Sequence, residues 1–117
     1  MEGNEIGAEI LHQIKLLTPK PAFWSWRASK FQTVGENQIK GLDDYYLGGL
    51  LFFTKGAVHY GHVFIALGLD DTYKVYTGRV EQGHMHTKDR VNNVYFDELP
   101  KVLDDLIETP KGAVTAL

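Results

Sequence analysis

Cysteine is absent from the 117 residues. That excludes a disulfide scaffold, a cysteine-ligated zinc finger and a thiol nucleophile, and it suits a reducing, cytoplasmic location, which is where we expect the chain to work. Basic excess is also missing, with 12 Lys and Arg against 15 Asp and Glu for a formal charge of −3. A non-specific phosphate binder needs a clustered basic surface, so this balance argues against a nucleic-acid partner. It is too mild, and has no long acidic run, for a mimic of DNA. No apolar run reaches the roughly 18 residues of a membrane span. The start, Met1-Glu2-Gly3-Asn4-Glu5, is acidic where a signal peptide is basic.

Catalytic signatures are missing too. There is no Gly-rich phosphate loop ending in Lys and Ser/Thr, no dinucleotide fingerprint, no His-Glu-x-x-His, no Gly-x-Ser-x-Gly and no calcium loop. Gly48-Gly49 precedes a strand pattern, so it offers no helix N-terminus to a phosphate. The only serines, Ser25 and Ser29, lie in an aromatic segment without a nucleophile elbow. The expectation is a non-enzyme without a cofactor.

What is present is a β-rich centre. Residues 50–80 read as three strands, Leu50–Thr54, Val58–Leu69 and Tyr73–Val80. In the middle one, Val63, Ile65, Leu67 and Leu69 make an unbroken apolar face, while Tyr60, His62, Phe64, Ala66 and Gly68 make a mixed one. The first face needs full cover and the second only partial cover. A two-residue loop, Asp70-Asp71, would pair Leu67 with Lys74 and Leu69 with Thr72. A three-residue loop pairs Leu69 with Tyr73, Leu67 with Val75 and Ile65 with Thr77, with Asp71 or Thr72 left-handed. We expect the second, because it keeps the apolar sets on one face. Gly61 suggests a bulge or a side chain crossing close over it.

Helical patterns flank this centre. Ile6, Ile10, Ile14 and Leu17 share one face of a helix over 4–17, with Asn4 as its cap and an end forced by Pro19 and Pro21. Leu99, Val102, Leu103, Leu106 and Ile107 make a second stripe, with Asp97 as cap and Pro100 in the first turn. Residues 22–34 alternate as a strand would, with Trp24 and Trp26 on one face. Residues 35–49 read as turns, with one short strand at 38–42 and Asp43-Asp44 as a solvated turn. Residues 81–90 read as a polar hairpin tip before a short strand at 91–96. The expected fold is α+β: an antiparallel meander of four to six strands with the N- and C-terminal helices on one face. One domain spans 1–109 and a flexible tail 110–117.

Four features carry functional expectations. Trp24, Trp26, Arg27, Tyr45 and Tyr46 lie outside the helical and core stripes and are candidate anchors for a protein partner or for self-association. The Trp pair has the ordinary alternative of covering a sheet end. Aromatic sheet residues flanked by Arg27, Lys30 and Arg79 would suit a single-stranded nucleic acid, against the net charge. His84 and His86 share a face if extended and, with a carboxylate such as Glu81, would suit a metal-assisted hydrolase, but two imidazoles are half a metal site, so no metal is expected; His59 and His62 face apart unless Gly61 bulges.

The segments Trp24-Ser-Trp26-Arg-Ala28 with Phe31, Gly61-His-Val63-Phe-Ile65-Ala-Leu67, Asp71-Thr-Tyr73-Lys-Val75 and Val94-Tyr95-Phe-Asp97-Glu-Leu99 span most of residues 10–108. In these the chain resembles small uncharacterised proteins carried by bacteriophages and mobile elements of gut bacteria. The resemblance implies an accessory role beside such an element and assigns no catalytic residue. Its pattern does not include the Gly41–Tyr46 loop.

Overall fold

The computed structural model describes residues 3–109; the expected tail at 110–117 lies outside them. Helix α1 (Gly3–Leu17) and a short α2 (Lys20–Ser25) precede strands β1 (Ser29–Val34), β2 (Gly48–Lys55), β3 (Tyr60–Leu67), β4 (Tyr73–Glu81) and β5 (His84–Val94). A 3-10 turn at Phe96–Glu98 leads into α3 (Leu99–Glu108). The strands form one antiparallel sheet in the order β1-β2-β3-β4-β5, a simple meander.

One face of the sheet is roofed by the two long helices, as the patterns predict. Ile6, Ile10 and Ile14 of α1 and Leu99, Leu103 and Ile107 of α3 share one buried cluster with Leu50, Phe52, Val63, Ile65 and Val75. The 3.6-residue stripe of each helix meets the period-2 face of the strands. Leu17 is an exception, exposed at the end of α1 while Thr18 turns inward. α1 begins at Gly3, one residue before the expected cap position Asn4. Asp97 is not the cap of the last helix: the Glu98 carboxylate takes the Tyr95 N–H at 2.9 Å, and Pro100 sits in the first turn of α3.

Gly7 lets α1 lie close on the sheet. A methyl there would meet the Gly49 carbonyl oxygen at 2.5 Å and Thr33 Cα at 2.9 Å. Helix propensity alone favours Gly7→Ala by about 1 kcal/mol. We expect the opposite sign, a loss of about 1–3 kcal/mol in urea unfolding, because the helix must lift from its core.

The β3–β4 register differs from the expected one by two residues. Leu67 pairs with Tyr73, Ile65 with Val75 and Val63 with Thr77. The parity is right and the loop is longer. Asp70 Oδ1 accepts the Thr72 N–H at 3.1 Å and the Thr72 hydroxyl at 2.7 Å, Gly68 N–H donates to the Thr72 carbonyl, and Asp71 is left-handed at φ 66°. This side-chain turn ends the ladder at Leu67, so Leu69 is 71% exposed and not part of the apolar face.

Residues 22–34 are not one strand. Pro19 and Pro21 start α2, where Pro21 takes a first-turn position, and the strand begins only at Ser29. In a helical turn, residues two apart point roughly 200° apart. Trp24 is accordingly exposed and Trp26 wholly buried.

The second face is closed as well over most of its length. Val34, Ile39, Tyr46, Leu51, Phe64, Ala66, Tyr76 and Met85 form a second buried cluster. Residues 35–47, expected as turns, are its lid. Tyr46 Oη accepts the Ile39 N–H and donates to the Ile39 carbonyl at 3.0 Å, which ties the two apolar residues of the lid together. In place of a strand at 38–42, Lys40 makes a single parallel bridge to His84 on β5. Residues 81–90 are not a hairpin tip: the turn is only Gln82-Gly83, both at positive φ, and β5 starts at His84. Asp43 and Asp44 both reach Arg90 Nη1, at 3.6 and 3.9 Å, and Asp44 reaches Lys74 Nζ at 3.9 Å, so the acidic pair of the lid is neutralised by the strands beneath.

Candidate binding surface

The lid stops short of one end of the sheet. The row Leu51–Phe64–Tyr76 is buried, but in the next row Phe53 pairs with His62, and both are half-buried. Beyond them Tyr60, paired with Lys55, is 64% exposed. Phe53 meets Tyr60 and His62 edge to face, with ring centroids 5.5 and 5.2 Å apart. β1 shifts register between Ser29 and Gln32, where Lys30 is left-handed at φ 56°. That irregularity carries Lys30 Nζ over the Phe53 ring, 5.4 Å from its centroid.

A cleft of about 410 Å³ lies round the same end, lined by His59, Tyr60, Arg79, His86 and Lys88 among others. Its shape owes much to β5, whose register shifts opposite Thr77 and Gly78 and leaves Lys88 as the extra residue. Tyr60 belongs to both the ring cluster and the cleft.

Two histidines fix the electrostatics. His59 is buried, and its Nε2 lies 2.8 Å from the His62 carbonyl oxygen, to which it donates. The His59 ring crosses close over Gly61, and the β2–β3 register runs through Gly61 without a bulge. His62 Nδ1 accepts the Val80 N–H at 3.1 Å, which places the proton of the neutral ring on Nε2. Burial lowers the pKa of both; Arg79, Lys30 and His59 lower His62 further, and for His59 the His62 carbonyl and Asp89 partly offset burial while Lys88 adds to it. A base with its pKa lowered by folding takes up protons more readily when unfolded. Stability is then full above the unfolded value, about 6.5, and falls as acid titrates through the folded one. We expect the melting temperature to drop between about pH 7 and about pH 5, and His59→Gln to flatten that slope in a thermal-melt series.

The expected anchors do not form one patch. Trp26 and Tyr46 are buried and serve the two cores. Trp24, 69% exposed, and the exposed Arg27 belong to the segment whose Phe23 and Trp26 pack into the helix-side core. Tyr45, its hydroxyl pKa raised by a hydrogen bond to Glu36, belongs to the lid on the other side of the sheet. His84 and His86 do come together, with ring centroids 5.1 Å apart, and Glu81 pairs with His84 across the ladder. Among the described residues no three His, Cys, Asp or Glu side chains gather as metal ligands.

Sequence reasoning passed over Phe53 and placed no anchor at Tyr60 or His62. A signal existed in the mixed face of the middle strand and in Lys30 and Arg79 as its flanking cations. Among the described residues no helix is long and apolar enough to cross a membrane. Comparison with family models, curated proteins and solved structures found no match to this chain.

Proposed function

We propose that the chain is a non-enzymatic accessory factor that binds another macromolecule through the open end of its sheet. The observation behind this reading is the Phe53–Tyr60–His62 ring cluster, held edge to face on paired strands outside both buried clusters. Such rings give large contact area at low conformational cost and are enriched among interface anchors. The likeness to proteins of phages and mobile elements fits a role of this kind.

The test is capture from a bacterial extract on immobilised protein, scoring retained protein and nucleic acid separately. The wild type retains a macromolecule, and Phe53→Ser/Tyr60→Ser, shown to fold by circular dichroism, loses it. Equal retention by both overturns the reading. A second reading, a protein partner or a second copy docked on α2, is favoured by the exposure of Trp24. Loss of capture, or of a dimer in light scattering, on Trp24→Ala alone would move the function there.

A further inference from the structure

We infer that the macromolecule held at this end of the sheet is a single-stranded nucleic acid, with a base on Tyr60 and its phosphates against the cations on either flank. The inference rests on the binding surface proposed above and adds the chemistry of its partner.

Two independent features meet at Tyr60. The first is a ring with an open surface: Tyr60 is the most exposed aromatic of the cluster, set edge to face on Phe53. Bases stack on such rings without regard to sequence. A base is available for stacking only when unpaired, so a duplex would not use this ring. The second is a cationic frame. Lys30 stands over Phe53 on the lid-side face, and round the end of the sheet the cleft presents Arg79 and His86 from the other face together with Lys88, with Tyr60 common to both. Arg79 is a fork suited to phosphate oxygens, and Lys88 is pushed out by its bulge.

The net negative charge is no bar to this, because several of the acids are paired or lie away from the ring cluster. Asp43 and Asp44 are paired with Arg90 and Lys74 over the lid, Asp70 caps the β3–β4 turn and Asp104 takes the Trp26 indole N–H, whereas Asp105 shares with Lys88 and Asp89 a pocket that adjoins the cleft at Val58. The charges that bear on His62, within the ring cluster, are those of Arg79, Lys30 and His59. Asp89 is the carboxylate that acts on His59 at the edge of the cleft. A protein partner would leave this frame of cations without a stated counterpart, whereas a phosphate backbone supplies one.

The experiment is fluorescence anisotropy with a labelled, mixed-sequence single strand of about 12 nucleotides, as DNA and as RNA, over a salt series. The wild type binds the single strand and prefers it to the matching duplex. Tyr60→Ala weakens binding roughly ten- to hundredfold and Tyr60→Phe does not. Arg79→Gln/Lys88→Gln lowers the slope of log affinity against log salt by about 1.4. Preference for the duplex, or Tyr60→Ala binding as the wild type does, overturns the inference. So does absence of binding to either strand at low salt. If the wild type then still captures a protein that Phe53→Ser/Tyr60→Ser loses, the binding surface stands and its partner is a protein. If it captures nothing, both readings fall.

Discussion

Leu103→Ala and Ile65→Ala are each expected to destabilise the protein by about 2–5 kcal/mol, measured as a lower urea midpoint at unchanged m. Both side chains are fully excluded from solvent. Ile65 sits in the middle of the sheet, paired with Leu50 on one side and Val75 on the other, so the hole left by truncation is walled by three strands. Leu103 lies midway between Leu99 and Ile107 on the buried stripe of α3. Its loss removes the central contact of a helix only 10 residues long, which has little stability of its own. Because the two residues share one buried cluster, the double variant should depart from additivity. A neutral result for either would take that residue out of the core.

Trp26→Ala is expected to cost about 3–5 kcal/mol. The residue is wholly buried, its ring centroid is 5.6 Å from that of Phe23, and its indole N–H donates to Asp104 Oδ1 at 3.0 Å. That bond ties the start of the chain to α3 across 78 residues of sequence. The backbone contributes a further tie, since the Trp26 carbonyl accepts the Lys55 N–H at 3.0 Å. Trp26→Phe keeps an apolar ring and should cost less. Asp104→Ala leaves a buried indole N–H without its acceptor, worth about 1–3 kcal/mol. Below their melting temperatures all three variants should bind the single strand as the wild type does, since none touches the ring cluster. Thermal melts followed by anisotropy at a fixed low temperature check both halves.

The parts of the fold legible in the sequence are those where one periodicity meets one burial. The stripe Leu99–Ile107 and the set Val63, Ile65, Leu67 are of this kind, and of Asp71 and Thr72, the two residues expected as left-handed, Asp71 is the one that is. Periodicity fixes the parity of a strand pair and not its register. The shift of two residues came from Asp70, whose carboxylate organises a longer turn, and parity carries no trace of that. The alternation Phe23, Trp24, Ser25, Trp26 imitates a strand, and only the two prolines mark it as a helical turn. The lid was illegible because Ile39 and Tyr46, seven apart, belong to no helical or strand period and are joined by a hydroxyl bond that no pattern reports. Residues 84–90 of β5 were read as a hairpin tip because they are almost all polar, and only its end fell in the strand expected at 91–96.

The candidate binding surface was half legible. Tyr60 and His62 stood out as a mixed strand face, and Lys30 and Arg79 as nearby cations. Phe53 did not, because the run Leu50–Phe53 reads as buried on both faces, which holds only as far as the lid extends. Trp24 and Trp26 show the converse: residue type nominated both as anchors, and two positions along one helical turn sent one to solvent and the other to the core.

The claim that the second face of the sheet is lidded except at one end can be tested on the six tyrosines in one measurement. Mild nitration of the native protein, read by tandem mass spectrometry, should modify Tyr45, Tyr60 and Tyr95, which are exposed, and spare Tyr46, Tyr73 and Tyr76, which are buried. Modification of Tyr46 and Tyr76 as fast as Tyr60 would mean that the 35–47 segment does not cover the sheet, and protection of Tyr60 would mean that its end is not open.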